Sequence, residues 1–163
     1  MNRIYIIDTS YLLELYQVPG KSDAGSSREV KKRFITAISD QARMLIPLGV
    51  LFELCNHIAG VANGDQRAKL SWRVAQDVEE SCTNPHFPWR LTPADSLERL
   101  RVHIDRYAKA FAPMQIGLTD TQVTAVADDS KSKHSGLDYN VHIWTRDAAL
   151  KAFEPDTEPD PFV

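Results

Sequence analysis

Two aspartates of this chain stand just beyond predicted β-strands. Asp8 directly follows the apolar run Ile4–Ile7, and Asp147 lies two residues beyond the run His142–Thr145. In an open parallel sheet, ligands bind beyond the carboxyl ends of the strands, so both side chains are expected to point into one crevice. A carboxylate at this position can instead cap the helix that follows, and that alternative stays open for Asp8.

Two further acids lie early in predicted helices. Glu53 interrupts the apolar stretch Leu48–Cys55, where a glutamate is rarely buried without a partner. It could instead mark the solvent-facing side of its helix. Asp120 lies in the first turn of a helix beginning near Thr119, where an aspartate also complements the helix dipole.

The chemistry that four such carboxylates could share is the binding of divalent cations. Carboxylates crowded together repel one another and take up protons, and a cation removes that cost. Oxygen ligands suit hard ions such as Mg²⁺ and Mn²⁺. Such ions lower the pKa of bound water and neutralise charge on a phosphate. A cluster of acids facing a crevice therefore predicts a metal site suited to phosphodiester hydrolysis.

The elements that must position these acids alternate between strands and helices. Apolar runs predict strands at Ile4–Ile7, at Met44–Ile46, near Leu91 and at Asn140–Thr145. Helical spacing of apolar residues predicts helices from a cap at Thr9 or Ser10 to Tyr16, at Glu29–Gln41, Leu48–Ile58 and Asp65–Ser81, from Pro93 through Phe111, and at Thr119–Ala127 and Ala148–Phe153. This alternation favours an α/β fold with a mainly parallel sheet.

The 163 residues are predicted to form one domain, 1–153, followed by an acidic, proline-rich tail, 154–163, that is a poor candidate for regular structure. A polar loop is predicted at 128–138. Its Lys131 and Lys133 are candidate contacts to an RNA backbone, and a merely solvated loop is the alternative.

The net charge of −3 is unfavourable for nucleic-acid binding at first sight. The tail, however, carries four acids and neither Lys nor Arg, so the remaining 153 residues have a net charge of +1. The charge therefore permits contact with RNA. No apolar run is long enough to predict a membrane span, and the first residues do not resemble a signal peptide, so a cytoplasmic location is expected.

Other residue types that often mark sites are predicted to be structural. Cys55 and Cys82 are expected to be reduced, buried thiols. Trp72, Trp89 and Trp144 are too widely spread to form a stacking platform and are expected in the core. The five histidines show no paired metal-ligand spacing.

Together, the acids and their settings resemble the PIN-domain nucleases. The resemblance rests on Ile-Asp-Thr-Ser at 7–10, Glu53 after the Ile-Pro break at 46–47, Thr-Asp at 119–120 opening a helix and Thr-Arg-Asp at 145–147 after a strand. The order and spacing of the elements agree from residue 4 to residue 153. Many members of that family are VapC-like toxins of bacterial toxin–antitoxin pairs, and their size is similar.

The resemblance implies a compact three-layer α/β/α sandwich and a metal-dependent endoribonuclease. Asp8, Glu53, Asp120 and Asp147 would hold one or two Mg²⁺ or Mn²⁺ ions. The implied substrate contacts are Thr9, Ser10 and Arg146, besides Lys131 and Lys133. The implied partners are an RNA substrate, an antitoxin protein and a second copy of the chain in a homodimer.

One departure and two alternatives accompany this interpretation. The stretch between Asp120 and Asp147 is longer than the family pattern, with the excess in 128–136. A haloacid-dehalogenase-type phosphatase would need a second aspartate two residues after Asp8, where this chain has Ser10. The remaining rival is a PIN-like module that binds RNA or protein without cutting.

Overall fold

The chain has a central sheet of four parallel strands, seen in a computed structural model that describes residues 2–163. The strands are β1 (Asn2–Ile7), β2 (Arg43–Ile46), β3 (Trp89–Leu91) and β4 (Tyr139–Trp144), in the order β3-β2-β1-β4. In the inner strand β1, Ile4 lies opposite Arg43 of β2 and Val141 of β4. Because every pair is parallel, Asp8 and Asp147 follow neighbouring strands at the same edge of the sheet.

The α-helices described for residues 2–163 are α1 (Thr9–Leu15), α2 (Ala24–Ser39), α3 (Leu48–Ala59), α4 (Gly64–Thr83), α5 (Leu97–Arg106), α6 (Leu118–Lys133) and α7 (Ala148–Lys151). Residues 4 to 7 of β1 are all buried, although successive side chains of a strand point to opposite faces. Helices therefore cover the sheet on both sides, as expected for the predicted α/β/α sandwich. Within the described chain, no helix is long and apolar enough to cross a lipid bilayer.

The prediction of a loop at 128–138 is wrong for its first half, because α6 continues to Lys133. Aspartate and serine are weak helix formers, so the polar run was expected to end the helix near Ala127. Instead, Asp129 forms an ion pair with Arg99 of α5. Asp128 forms a second ion pair, with Arg106, and the two pairs hold these aspartates in place. Tertiary contacts thus outweigh the local preference.

The start of α5 also differs from the prediction. Pro93 was expected to open this helix, whereas the first helical residue is Leu97. The Ser96 hydroxyl accepts a hydrogen bond from the Arg99 amide at 3.2 Å and caps the helix. The chain then continues as a π-helical turn, Tyr107–Phe111, and a short 3-10 turn.

Two expectations about buried residues are wrong. Cys55 and Cys82 are unpaired thiols, as predicted, but both are exposed. Trp72 is 71% exposed on α4, whereas Trp89 and Trp144 lie in the core as expected. These predictions followed residue type and did not consider where each residue lies on its helix. Cys55 lies on the solvent-facing side of α3, and Trp72 and Cys82 lie on the solvent-facing side of α4.

The acidic tail, 154–163, contains no helix or strand, as predicted, but it packs closely on β4. Asp156 Oδ2 accepts a hydrogen bond from the Val141 amide at 2.7 Å, and Glu154 Oε1 accepts one from the Ile143 amide at 2.8 Å. Because β4 is an edge strand, these amides would otherwise be open to pairing with another strand. The tail therefore closes one edge of the sheet.

Each acid of the tail also contacts a basic side chain of the domain. The pairs are Arg33 with Glu158 (2.7 Å) and Asp160 (2.9 Å), Lys131 with Asp156 (2.6 Å), and Lys151 with Glu154 (2.5 Å). The tail thus neutralises part of the positive charge that the composition assigned to the domain. That charge is not all available to RNA.

Replacing Glu154 by alanine is expected to lower the free energy of unfolding by about 3 kcal/mol, the cost of breaking a buried ion pair. Only 3% of the Glu154 side chain is exposed, and its loss leaves the Ile143 amide without its acceptor and removes the close ion pair of the Lys151 ammonium, which keeps the Ile143 carbonyl and a more distant Asp160. Urea denaturation followed by circular dichroism measures the effect. Glu79→Ala on exposed α4 is the control and should change stability by less than about 0.5 kcal/mol. Equal effects would contradict a structural role for the tail.

Candidate metal centre

Asp8 is the most deeply buried of the four predicted acids. Its Oδ2 accepts hydrogen bonds from the Ser10 amide (3.2 Å), the Ser10 hydroxyl (2.7 Å) and the Thr145 hydroxyl (2.9 Å). The first of these caps α1, so the alternative of a helix cap is correct as well. Burial raises the pKa of Asp8, although these hydrogen bonds oppose the shift. The other oxygen, Oδ1, accepts none of these three bonds.

Thr145 ties the two strand-end aspartates together. It is fully buried, and its hydroxyl oxygen accepts a hydrogen bond from the Asp147 amide at 3.0 Å while donating to Asp8. Asp147 itself is exposed and caps α7 through the Ala149 amide at 2.8 Å. Thr145 belongs to the Thr-Arg-Asp motif at 145–147, but no role was predicted for it. Its position between a strand and an aspartate was the available signal.

Glu53 is held toward the same edge from α3. Thr9, the residue after Asp8, donates a hydrogen bond from its hydroxyl to Glu53 Oε2 at 3.0 Å. The Glu53 side chain is 42% exposed, and its other oxygen lies 4.0 Å from His57 Nε2. Glu53 therefore neither faces bulk water alone nor lies unpartnered in the core. The Thr9 hydroxyl, predicted as a substrate contact, therefore orients an acid.

Asp120 shows that the acids share one electrostatic environment. It lies in the first turn of α6, and its Oδ2 accepts a hydrogen bond from the Gly117 amide at 3.1 Å. Burial, then the negative charge of Asp8, raises the pKa of Asp120 to about 6, and the charges of Glu53 and Asp147 add to the effect. The charges of Asp8, Glu53 and Asp147 therefore all act on Asp120.

The four carboxylates are not tightly clustered, since no three of them lie within 4.8 Å of one another. Among residues 2–163, three possible metal ligands have polar atoms within 4.8 Å of one another, and these are His142, Glu154 and Glu158. None of the four predicted acids belongs to this group. Like charges repel, which favours a spread arrangement.

The group of His142, Glu154 and Glu158 was not predicted, since the three residues come from β4 and the tail. Its polar atoms already have partners. His142 Nδ1 lies 2.6 Å from the Asp156 carbonyl oxygen, and Glu158 Oε1 accepts hydrogen bonds from Arg33 at 2.7 Å and the Trp144 indole at 2.9 Å. These contacts account for the group as part of the interface between tail and domain.

The predicted substrate contacts divide into those near the acids and those far from them. Thr9 and Ser10 lie among the acids. Arg146 donates its amide to the Ser10 hydroxyl, but its guanidinium forms an ion pair with buried Glu14. Lys131 and Lys133 are 11 and 13 residues after Asp120 on α6, which places them roughly 16 and 20 Å farther along its axis. The structure does not bring these two lysines to the acids.

Thr145→Val is expected to weaken Mn²⁺ binding by roughly 10- to 100-fold, the usual cost of removing a residue that orients a metal ligand. Valine keeps the shape but cannot donate to Asp8 or accept from the Asp147 amide. Isothermal titration calorimetry measures the affinity. Thr124→Val is a matched control, because Thr124 is also fully buried and its hydroxyl bonds only to the Thr121 carbonyl of its own helix. If Thr145→Val binds Mn²⁺ as tightly as the wild type while Thr124→Val binds it more weakly, the role given to Thr145 is wrong.

Hard divalent cations prefer oxygen ligands, and the four acids offer carboxylate oxygens, so the arrangement suits such an ion. Hydroxyl groups fix two of the acids. The pKa of a third is raised by burial and then by negative charge that a cation would neutralise. In comparisons with known proteins, neither a family model nor a curated protein matches this chain.

Proposed function

We propose that the chain is a metal-dependent endoribonuclease of the PIN-domain type. The observation that carries the proposal is the contact set at one edge of the sheet, where the Thr145 hydroxyl joins Asp8 to the Asp147 amide and the Thr9 hydroxyl holds Glu53. The raised pKa of Asp120, caused by burial and then by the charges of Asp8, Glu53 and Asp147, agrees with it. The resemblance selects the same four positions from the order of the residues alone. Perturbed acids gathered at one edge of a parallel sheet are typical of functional sites.

Mg²⁺ or Mn²⁺ would be held by Asp8, Glu53, Asp120 and Asp147, where it would supply charge neutralisation at the phosphate and a lower pKa for water. The other roles fall to side chains of the protein. Ser10 and Thr145 hold Asp8 in one orientation by hydrogen bonds to Oδ2. In the metal-free protein, burial and the charge of Asp8 raise the pKa of Asp120 to about 6. The Thr9 hydroxyl keeps Glu53 turned toward the other acids.

Removal of divalent ions is expected to stop cleavage. A mixed pool of RNA is incubated with the protein and Mn²⁺ or Mg²⁺, then with an excess of EDTA, and then with Mn²⁺ restored. Fragments are expected with the ion, none with EDTA, and fragments again on restoration. Cleavage that persists in EDTA would contradict the metal mechanism. Binding of RNA without fragments under every condition would favour the PIN-like module without turnover.

The expectations about partners belong to this proposal. A toxin–antitoxin role, an antitoxin protein, a homodimer and a cytoplasmic location stay predictions. Exposed apolar side chains on α5, among them Leu97, Val102 and Ile104, support binding of some protein, because such residues are costly to leave in water. Light scattering of the purified chain tests for the homodimer.

A further inference from the structure

One glutamine joins the two helices that carry Glu53 and Asp120. Gln122 lies on α6, two residues after Asp120, and its Oε1 accepts a hydrogen bond from the Gly49 amide of α3 at 2.9 Å. Gly49 precedes Glu53 by about one helical turn, so the two residues lie on the same side of α3. The bond therefore connects α6 to the side of α3 that carries Glu53.

The Gly49 amide needs an acceptor from outside its own helix. The first four amides of an α-helix have no partner within it, and Pro47, at the N-cap of α3, makes no side-chain capping bond. Gln122 supplies that acceptor from α6. The close approach depends on glycine at position 49, because a Cβ atom there would lie 2.6 Å from Gln122 Oε1, nearer than real contacts allow.

The other end of the glutamine side chain is fixed as well. Its Nε2 donates a hydrogen bond to Asp95 Oδ2 at 2.8 Å. Asp95 lies just before α5 and contacts two residues of that helix, with Arg99 Nε 3.5 Å from Oδ1 and His103 Nε2 3.3 Å from Oδ2. An amide offers an acceptor at one atom and a donor at the other, so only one orientation of Gln122 satisfies both partners.

The separation of α3 and α6 bears directly on the acids. The two helices pack against each other, and the charge of Glu53 is one of those that act on Asp120. A cation bound by both acids needs a carboxylate oxygen from each helix at roughly 2.1 Å, the distance that Mg²⁺ requires. Thr9 holds the Glu53 carboxylate and the Gly117 amide holds that of Asp120, but neither bond joins α3 to α6.

We infer that Gln122 is a positioning residue, which sets the separation of α3 and α6 so that Glu53 and Asp120 reach the same cation. The inference rests on the proposed function and adds a residue to its site. Both polar atoms of the Gln122 amide already have partners in the protein. The glutamine therefore acts through the two helices and does not bind the ion itself.

Gln122→Met tests the inference, because methionine has a similar length and can make neither hydrogen bond. Calorimetric titration with Mn²⁺ at pH 7.5 is expected to show binding about tenfold weaker than in the wild type, the lower end of the range for loss of an orienting residue. Thr124→Val is the control, since it also removes a side-chain hydrogen bond of α6, but one that stays within the helix. It should keep the wild-type affinity.

A double variant separates positioning from a general loss of stability. Gln122→Glu combined with Asp95→Asn leaves the net charge unchanged and exchanges the amide with the carboxylate. The carboxylate at position 122 can accept a hydrogen bond from the Gly49 amide and another from the new amide at position 95. This variant is expected to bind Mn²⁺ as tightly as the wild type. A double variant as weak as Gln122→Met would overturn the inference, because rebuilding the two bonds would then restore nothing.

Failure of this inference and failure of the proposed function give different results. If Gln122→Met binds Mn²⁺ as tightly as the wild type, the positioning role is overturned and the proposed function stands. If the wild type binds no Mn²⁺, the proposed function fails, and urea unfolding in EDTA decides the positioning role. Glu53→Gln should then raise the urea midpoint less when Asp120 is already asparagine, because the two acids no longer repel.

That dependence of one acid on the other should be lost in the Gln122→Met background, where the helices are free to separate. Its loss supports the positioning role even without metal binding. A dependence of unchanged size in Gln122→Met would overturn the role together with the proposed function.

Discussion

Asp8→Asn is expected to lower the rate of Mn²⁺-dependent RNA cleavage by more than about 100-fold. Changing a residue that merely orients a ligand costs 10- to 100-fold, and Asp8 is proposed to be a ligand itself. Asparagine has the same shape, and its carbonyl oxygen can accept the hydrogen bonds that Ser10 and Thr145 donate. The charge is lost while the fold is kept.

Cleavage of a labelled RNA under single-turnover conditions measures this effect. Asp65→Asn is the control, because Asp65 lies in the exposed first turn of α4 and contacts none of the four acids. It should retain the wild-type rate. A variant at position 8 that cleaves as fast as the control would show that the carboxylate has no part in the reaction.

Asp120→Asn is expected to raise the free energy of unfolding of the metal-free protein. With Mn²⁺ bound to the wild type, the variant is expected to be the less stable of the two. The folded-state pKa of Asp120 is about 6, above the ordinary value of 3.8, so the folded protein binds more protons between these two values. Stability of the metal-free protein therefore falls as pH rises from about 4 to about 6, and it stays reduced above that range. Asparagine cannot ionise and removes this cost.

The variant should accordingly be more stable than the metal-free wild type at pH 7.5 by about 1–2 kcal/mol. This value discounts the pKa shift for the solvent that reaches a half-buried carboxylate. At pH 4 the two should be equal within error. Saturating Mn²⁺ should reverse the order, since ligand at 100 times Kd stabilises the wild type by about 2.7 kcal/mol and the variant should bind poorly.

Thermal unfolding at the two pH values, with EDTA or with Mn²⁺, gives the comparison. Asp65→Asn should follow the wild type in all four conditions. If Asp120→Asn is less stable than the wild type in EDTA at pH 7.5, the electrostatic strain assigned to the four acids is absent.

The sheet and its acidic edge follow from short-range patterns in the sequence. The run Ile4–Ile7 is too short and too β-branched for a helix, and its continuous apolarity indicates a strand buried on both faces. Once the strands are known to be parallel, their carboxyl ends must meet at one edge. The positions of Asp8 and Asp147 are then determined to within a few residues.

Contacts between distant parts of the chain were not predictable in the same way. The role of Thr145 depends on how β4 pairs with β1, which brings its hydroxyl to Asp8. Local preference likewise cannot reveal that Arg99 on α5 pairs with Asp129 and supports the end of α6. Composition identified the tail as irregular, but not that its carboxylates bind the amides of an edge strand.

Asp8, Glu53, Asp120 and Asp147 are proposed to bind divalent cations together. Calorimetric titration of the metal-free protein with Mn²⁺ at pH 7.5 tests it most directly, with Asp8→Asn, Asp120→Asn and Glu158→Gln compared in parallel. Wild type and Glu158→Gln are expected to bind Mn²⁺ alike, and the two aspartate variants at least tenfold more weakly. Binding that survives in both aspartate variants but disappears in Glu158→Gln would place the ion at the tail and contradict the account.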